Sequence, residues 1–205
     1  MIDFDSKARD WDSNPLFQER ADKIAAAIRA AIPLNTKMHA LDYGCGTGLL
    51  SFPLKDALGH ITLKDSSAGM LDVLREKIAA QGVANMTVRQ ADLSSQPLPE
   101  ERYDLIYTSM VLHHIPDTAA ILATFHALLN RGGHLCVADL DQEDGSFHGS
   151  EVDVHHGFAR ADLARLAEAA GFIDVRFSTV FEIAKETAIG GTRGYPVFLM
   201  LARKN

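Results

Sequence analysis

Apolar residues along this chain switch between two periods, and the switches lay out its elements. Leu16, Ala21, Ile24, Ala27, Ile28, Ala31 and Ile32 recur near helical spacing and predict a helix that Pro33 ends. Met38 to Tyr43 is a short apolar run that predicts a strand, and a helix follows from Leu49 to about Leu58. Pro53 falls in its first turns, where a missing N–H costs least. Ile61-Thr62-Leu63 predicts a second strand running to Asp65. The next helix is capped by Ser66 or Ser67, carries Met70, Leu71, Leu74 and Ile78 on one face, and stops at Gly82. Met86 to Arg89 and Tyr103 to Tyr107 predict the third and fourth strands. Asp117 caps a helix over Thr118–Leu129. Leu135 to Ala138 is apolar on both faces, as a central parallel strand is. Residues 139–158 show no clean period. A helix from Arg160 to Ala170 ends at Gly171, and strands over about 173–182 and 196–203 close the chain around a loop from Gly190 to Gly194.

Strand and helix thus alternate five times before a final strand pair. That order predicts an α/β fold with a parallel sheet, right-handed crossovers and helices on both faces. The expected organisation is one domain over residues 1–205, with residues 1–33 as an N-terminal helical cap. The irregular run after the fifth strand is longer than a passive connection usually is, so a functional role is expected of it.

Composition narrows the partners. The chain has 205 residues, 47% of them hydrophobic, and a formal charge of -7 with no Lys/Arg cluster to track phosphates. No apolar run reaches the roughly 18 residues that span a bilayer. Met1-Ile2-Asp3-Phe4-Asp5 lacks the basic-then-apolar pattern of a signal peptide. Cys45 and Cys136 read as buried reduced thiols, and a cytoplasmic setting, with neither nucleic acid nor membrane as partner, is the expectation.

The chemistry concentrates in Leu41-Asp42-Tyr43-Gly44-Cys45-Gly46-Thr47-Gly48. Three alternate glycines after a strand allow positive φ and close ligand approach to bare N–H groups. Asp42 ends the first strand, Asp65 the second and Asp92 the third; Thr108 and Ser109 end the fourth. Asp65 follows the glycine turn at about the distance expected of a ribose-binding acid. Ligands of open α/β sheets sit at these carboxyl ends.

These residues resemble the class I S-adenosylmethionine-dependent methyltransferases. The likeness is carried by the glycine turn, Asp65-Ser66-Ser67 with Met70-Leu71, Ala91-Asp92, and Tyr103-Asp104-Leu105-Ile106 through Leu112-His113-His114-Ile115. Arg131-Gly132-Gly133 and Phe158 through Phe172 also fit. The resemblance implies a Rossmann-like, doubly wound, three-layer α/β/α fold of seven strands ordered 3-2-1-4-5-7-6, the last antiparallel. It implies that Asp42, Gly44, Cys45, Gly46 and Gly48 contact the methionine portion of the cofactor. Asp65 would hold the ribose, Ser66 and Met70 would enclose the adenosine, and Asp92 and Leu93 would meet the adenine. Thr108, Met110 and His113 would line the pocket near the methionine. Lys64, where the family more often has a small apolar residue, is a departure.

An NAD(P)-dependent oxidoreductase would use Asp65 equally well, but Leu49 stands where the dinucleotide pattern wants a third small residue. A binding module that kept the pocket and lost the reaction is a further alternative. For methyl transfer, an in-line displacement, a general base is needed only if the acceptor is protonated. Asp139, Asp141, His113, His114, His148, His155 and His156 are candidates, with His114, His155 and His156 the catalytic expectation. Adjacent His113 and His114 are expected to point apart. His148, His155 and His156 with Asp141 or Glu143 match no metal spacing, so no metal is expected. Phe4 and Trp11 either pin the first helix or form part of a lid made by residues 1–14. No Asn/Asp-Pro-Pro-aromatic motif follows the fourth strand and no Pro-Cys pair is present, so a small-molecule acceptor is expected, a protein side chain next.

Overall fold

The computed structural model describes residues 3–92, 100–149, 153–186 and 191–205. Its sheet has seven strands in the order β3-β2-β1-β4-β5-β7-β6. They are β1 His39–Tyr43, β2 His60–Asp65, β3 Met86–Gln90, β4 Tyr103–Ser109, β5 Leu129–Leu140, β6 Phe172–Glu186 and β7 Thr192–Lys204. β1 pairs in parallel with β2 and β4, as β2 does with β3 and β4 with β5, while β7 runs antiparallel between β5 and β6. The expected topology is the one found.

Alternation along the strands splits the core in two. Ala40, Ile61, Leu63, Leu105 and Tyr107 face one side, against Ile24 and Ile28 of α1 (Pro15–Ala31), Leu54 of α2 (Ser51–Leu54), and Leu71 and Leu74 of α3 (Ala68–Ala80). Leu41, Tyr43 and Ile106 face the other, against Ile121 and Phe125 of α4 (Thr118–Leu128) and Leu163 and Ala167 of α5 (Arg160–Ala169). Successive side chains on a strand point to opposite faces, so a sheet covered twice needs apolar residues at consecutive positions. Cys45 and Cys136 are buried and free.

Three expectations change. The helix after the glycine turn shrinks to α2 and a 3-10 turn over Lys55–Ala57. Residues 3–14, with no expected element, include a 3-10 helix at Ala8–Ser13. The closing strands are longer than their apolar cores: β6 and β7 stay paired from Phe181↔Val197 to Glu186↔Thr192, past the point where β5 stops at Leu140↔Val197. This hairpin extension backs the irregular segment, where Ser146 Oγ lies 2.7 Å from Tyr195 Oη and Arg193 pairs with Asp144 at 2.6 Å. The segment's ends meet at a bridge between Asp141 and Phe158. Lys64 is buried and absorbed by an ion pair with half-buried Glu101, its Nζ 3.4 Å from the carboxylate. Among the described residues no helix is long and apolar enough to cross a membrane.

Candidate active site

The glycine turn is stitched to the end of β2. Gly44 and Cys45 donate their N–H groups to the Lys64 carbonyl at 2.8 and 3.1 Å, and Gly46 donates to Asp65 Oδ2 at 2.7 Å. Gly44, Gly46 and Gly48 have φ of 68°, 52° and 81°, the left-handed region that side chains avoid. Asp65 Oδ1 accepts from Ser67 N–H at 2.9 Å, and Ser67 Oγ caps α3 by accepting from Met70 N–H at 3.2 Å. Burial raises the Asp65 carboxyl above its ordinary range, and the Ser67 and Gly46 N–H groups oppose that rise. Met70 is buried beside Gly46. Ser66 is exposed, its carbonyl accepting from the Gln90 side chain at 2.9 Å.

Asp42 is 2% exposed and accepts from Ser51 Oγ at 2.7 Å, while Ser51 Oγ lies 2.6 Å from Tyr107 Oη. Burial pushes its carboxyl up to about 7, the Ser51 bond opposing and the Asp65 charge adding. A carboxyl raised on folding stabilises the fold while it holds its proton. That contribution is full below about pH 4 and is lost as pH rises through about 7. Between those values the chain should lose about 4 kcal/mol relative to Asp42→Asn. Urea denaturation of both proteins across that range checks this, and parallel stability curves would contradict it.

Asp92 follows β3 and accepts from Tyr43 Oη at 3.3 Å. Leu93 lies outside the described residues. Thr108, near the end of β4, is 2% exposed, and its Oγ1 is a buried side-chain oxygen without a partner among the described residues.

Beyond β4 the chain turns sharply. Met110 adopts φ of 58°, unusual for a side chain, and its N–H donates to the Ala138 carbonyl at 2.8 Å. The 3-10 turn Leu112–His114 follows. His113 is buried against fully buried Asp139, which lies 2.6 Å from His113 Nδ1 and accepts the His113 N–H at 3.2 Å. His113 Nε2 is 3.0 Å from Nε2 of His148. The expectation that His113 and His114 point apart is overturned. Their ring centroids lie 4.1 Å apart, and both rings contact His148. The tight 3-10 turn after Met110 lets adjacent side chains reach one spot, which a regular strand would not. Burial, then neighbouring His113, lowers His114 to about 3 and His148 to about 4, so both are uncharged imidazoles near neutrality.

His155 and His156 do not join this group. His155 donates its N–H to the His113 carbonyl at 2.9 Å, and its Nε2 is 3.0 Å from the Ile115 carbonyl and 3.2 Å from that of Pro116. A carbonyl only accepts, so Nε2 carries the proton and clasps the loop before α4. His156 is exposed and packs beside Gly145. Asp141 is held by Arg160 at 2.7 and 2.6 Å, and Glu143 caps the Phe147 N–H at 3.1 Å, so neither gathers with those histidines.

The N-terminal segment straps the edge. Asp5 accepts from Ser67 Oγ and, at 2.9 Å, from Gly69 N–H. Asp12 accepts from Thr47 Oγ1 and Lys77 Nζ, both at 2.5 Å. Phe4 meets the His114 ring edge-on at 5.5 Å, and Trp11 packs on Phe4 and Phe17. A separate shallow cavity, lined by His39, His60, Thr62 and Tyr103, lies near the amino ends of the strands and holds none of these residues.

Sequence reasoning did not pair Asp139 with His113, join His148 to them, or find Asp5 and Asp12. Asp139 had a readable signal, since it ends a strand as Asp42 and Asp65 do. The other contacts needed the chain path.

Residues 40–133 match a family model described as a methyltransferase domain. An uncharacterized methyltransferase of Mycobacterium bovis is 34% identical over 114 residues, 55% of this chain and 55% of that protein. The chain spans about half the length of the curated relatives it matches. Among solved structures, an S-adenosylmethionine-dependent methyltransferase from Aquifex aeolicus superposes with a TM-score of 0.72 at 18% identity, over 100% of both chains. Phosphoethanolamine N-methyltransferase 2 of Haemonchus contortus, solved with S-adenosyl-L-methionine, gives 0.72 at 14% identity, over 100% of this chain and 60% of that one. At those identities the two structures speak to the fold alone.

Proposed function

Because the chain belongs to the class I S-adenosylmethionine-dependent methyltransferase family, we propose that it binds S-adenosylmethionine at the carboxyl edge of β1, β2, β3 and β4 and transfers its methyl group to a small-molecule acceptor. The observation that carries this reading is the glycine turn tied to Asp65, with Asp42 buried on one side and Asp92 on the other. Three strand-end carboxyls, as acceptors, suit a ligand rich in hydroxyl, amino and ammonium donors, and the side-chain-free glycines let it approach the main chain closely. The partnerless Thr108 oxygen fits the same ligand, since a buried hydroxyl left unpaired costs about 1–3 kcal/mol.

Each Asp65 oxygen accepts one backbone N–H and keeps a further lone pair, enough for the two ribose hydroxyls. Asp42 faces the methionine end as a carboxyl that titrates near neutrality, so an ammonium group nearby favours its ionised form. Gly44, Cys45, Gly46 and Gly48 supply the close backbone; Ser66 and Met70 flank the adenosine, and Asp92 with Leu93 meets the adenine. The cofactor supplies an electrophilic methyl on a sulfonium. What the chain must do is orient the acceptor and exclude water. Phe4 and Trp11, held over this edge by Asp5 and Asp12, serve as the lid. His113 and His114 border the acceptor side, with Asp139 fixing the His113 ring. His155 holds the loop there, and His156 stands outside.

Incubation with S-adenosylmethionine labelled in the methyl group, together with a cell extract, tests this reading. Label should accumulate in the small-molecule fraction and stay out of precipitated protein and nucleic acid. Label confined to protein would replace the acceptor class, and no transfer to any fraction would count against the activity. In the same assay a chain lacking residues 1–14 should turn over at least about tenfold more slowly, since closure positions reactants and excludes water. Unchanged turnover would remove the lid.

A further inference from the structure

Histidines from two separated stretches converge at the carboxyl edge. His113 and His114 follow β4, and His148 comes from the segment after β5. Each can bring a ring nitrogen within 4.8 Å of the other two, and the Nε2 atoms of His113 and His148 are 3.0 Å apart. Two imidazole nitrogens that close share a single proton. The His114 ring beside them has only ring contacts, with no hydrogen-bond partner among the described residues. A metal ion satisfies all three rings. Tetrahedral zinc, with Zn–N bonds of about 2.0–2.1 Å, sets neighbouring nitrogens about 3.4 Å apart, close to the spacing present.

We propose that His113, His114 and His148 bind a divalent transition-metal ion of the zinc class. Behind His113 stands Asp139, fully buried and 2.6 Å from Nδ1. A carboxylate on the far nitrogen fixes the tautomer and turns Nε2 toward the ion, the usual support of a metal-binding histidine. Among the described residues no Lys or Arg is ion-paired with Asp139, and the Arg20 charge reaches it only through space: its oxygens accept from the His113 and Leu140 N–H groups and the His113 ring. A bound dication compensates that buried charge. The all-nitrogen set suits zinc, cobalt or nickel and not magnesium, which takes oxygen ligands. Spacing alone pointed to no metal because it weighed His148 with His155 and His156, which the fold keeps out of this cluster.

Three protein ligands leave a fourth position open, as in catalytic and not structural zinc sites. Resting on the methyl-transfer reading, that position takes an acceptor hydroxyl or thiol, which binds the ion and releases its proton to solvent. The substrate class is then a small molecule with an ionisable O–H or S–H.

The ion is tested without reference to turnover. Chelator-treated full-length protein is titrated with Co2+ and followed by visible absorption, then challenged with Zn2+ and Mg2+. Expected are intense tetrahedral bands saturating at one ion per chain, displaced by Zn2+ and untouched by Mg2+. His148→Ala, from an irregular segment, should weaken binding at least about a hundredfold, and His148→Gln repeats the test should the alanine variant misfold. His126→Ala, outside the cluster, should bind like the parent. Octahedral, non-saturating absorption, or binding undiminished in folded His148 variants, would overturn the site. S-adenosylhomocysteine binding, measured on the same samples, tests the methyl-transfer reading separately.

Discussion

Asp65→Ala should weaken binding of S-adenosylhomocysteine by about 3 kcal/mol, more than a hundredfold. The carboxylate has two jobs at once. It accepts from Gly46 and Ser67 N–H groups, which hold the glycine turn and the start of α3 in register. In the proposed complex its remaining lone pairs accept two ribose hydroxyls, each charge-assisted bond contributing about 1.5–3 kcal/mol. The substitution removes the second set outright and leaves two backbone donors without their acceptor. Titration calorimetry on the parent and variant measures the loss, and thermal unfolding of the same samples separates it from misfolding. Unaltered affinity in a folded variant would mean that the ribose sits elsewhere.

Gly44→Ala should destabilise the fold by about 2–4 kcal/mol and abolish cofactor binding. At φ of 68° any side chain is strained. The new methyl would stand 2.7 Å from Val111 Cγ1 and closer still to Cγ2, well inside contact distance. Val111 leads into the turn that carries His113 and His114, so relief of the clash moves the glycine turn or the histidine turn. Denaturant midpoints and calorimetry measure the two effects. Gly82→Ala is the comparison: φ is also positive, at 62°, but nothing lies within 4 Å of the added carbon, so only the backbone strain should register. Equal losses at the two positions would show that packing against Val111 contributes nothing.

Much of this architecture is legible in one dimension because burial on both sheet faces forces apolar residues into consecutive strand positions. Leu135 to Ala138 and Ile61 to Leu63 announce themselves that way. The extension of β6 and β7 does not. Its apolar residues Phe181, Ile183 and Tyr195 are few and alternate with exposed Glu182, Lys185, Glu186 and Thr192, so cross-strand pairing carries it further than any apolar run marks. The short α2 is also hidden, since a helical stretch of only four residues is too brief for periodicity to mark its ends. The acids at the strand ends were readable from the glycine turn onward. The histidine cluster was not, because it depends on the positive φ of Met110 and on residues 139–149 folding back over β4. Tertiary path, and not local pattern, decides which of nine histidines meet.

Calorimetric titration of the intact chain with S-adenosylhomocysteine and with NADH decides which cofactor the glycine turn and Asp65 hold. Saturable one-to-one binding of S-adenosylhomocysteine, weakened more than about a hundredfold in Asp65→Ala, with no heat from NADH, is the expected result. Tight NADH binding with none of S-adenosylhomocysteine would contradict it.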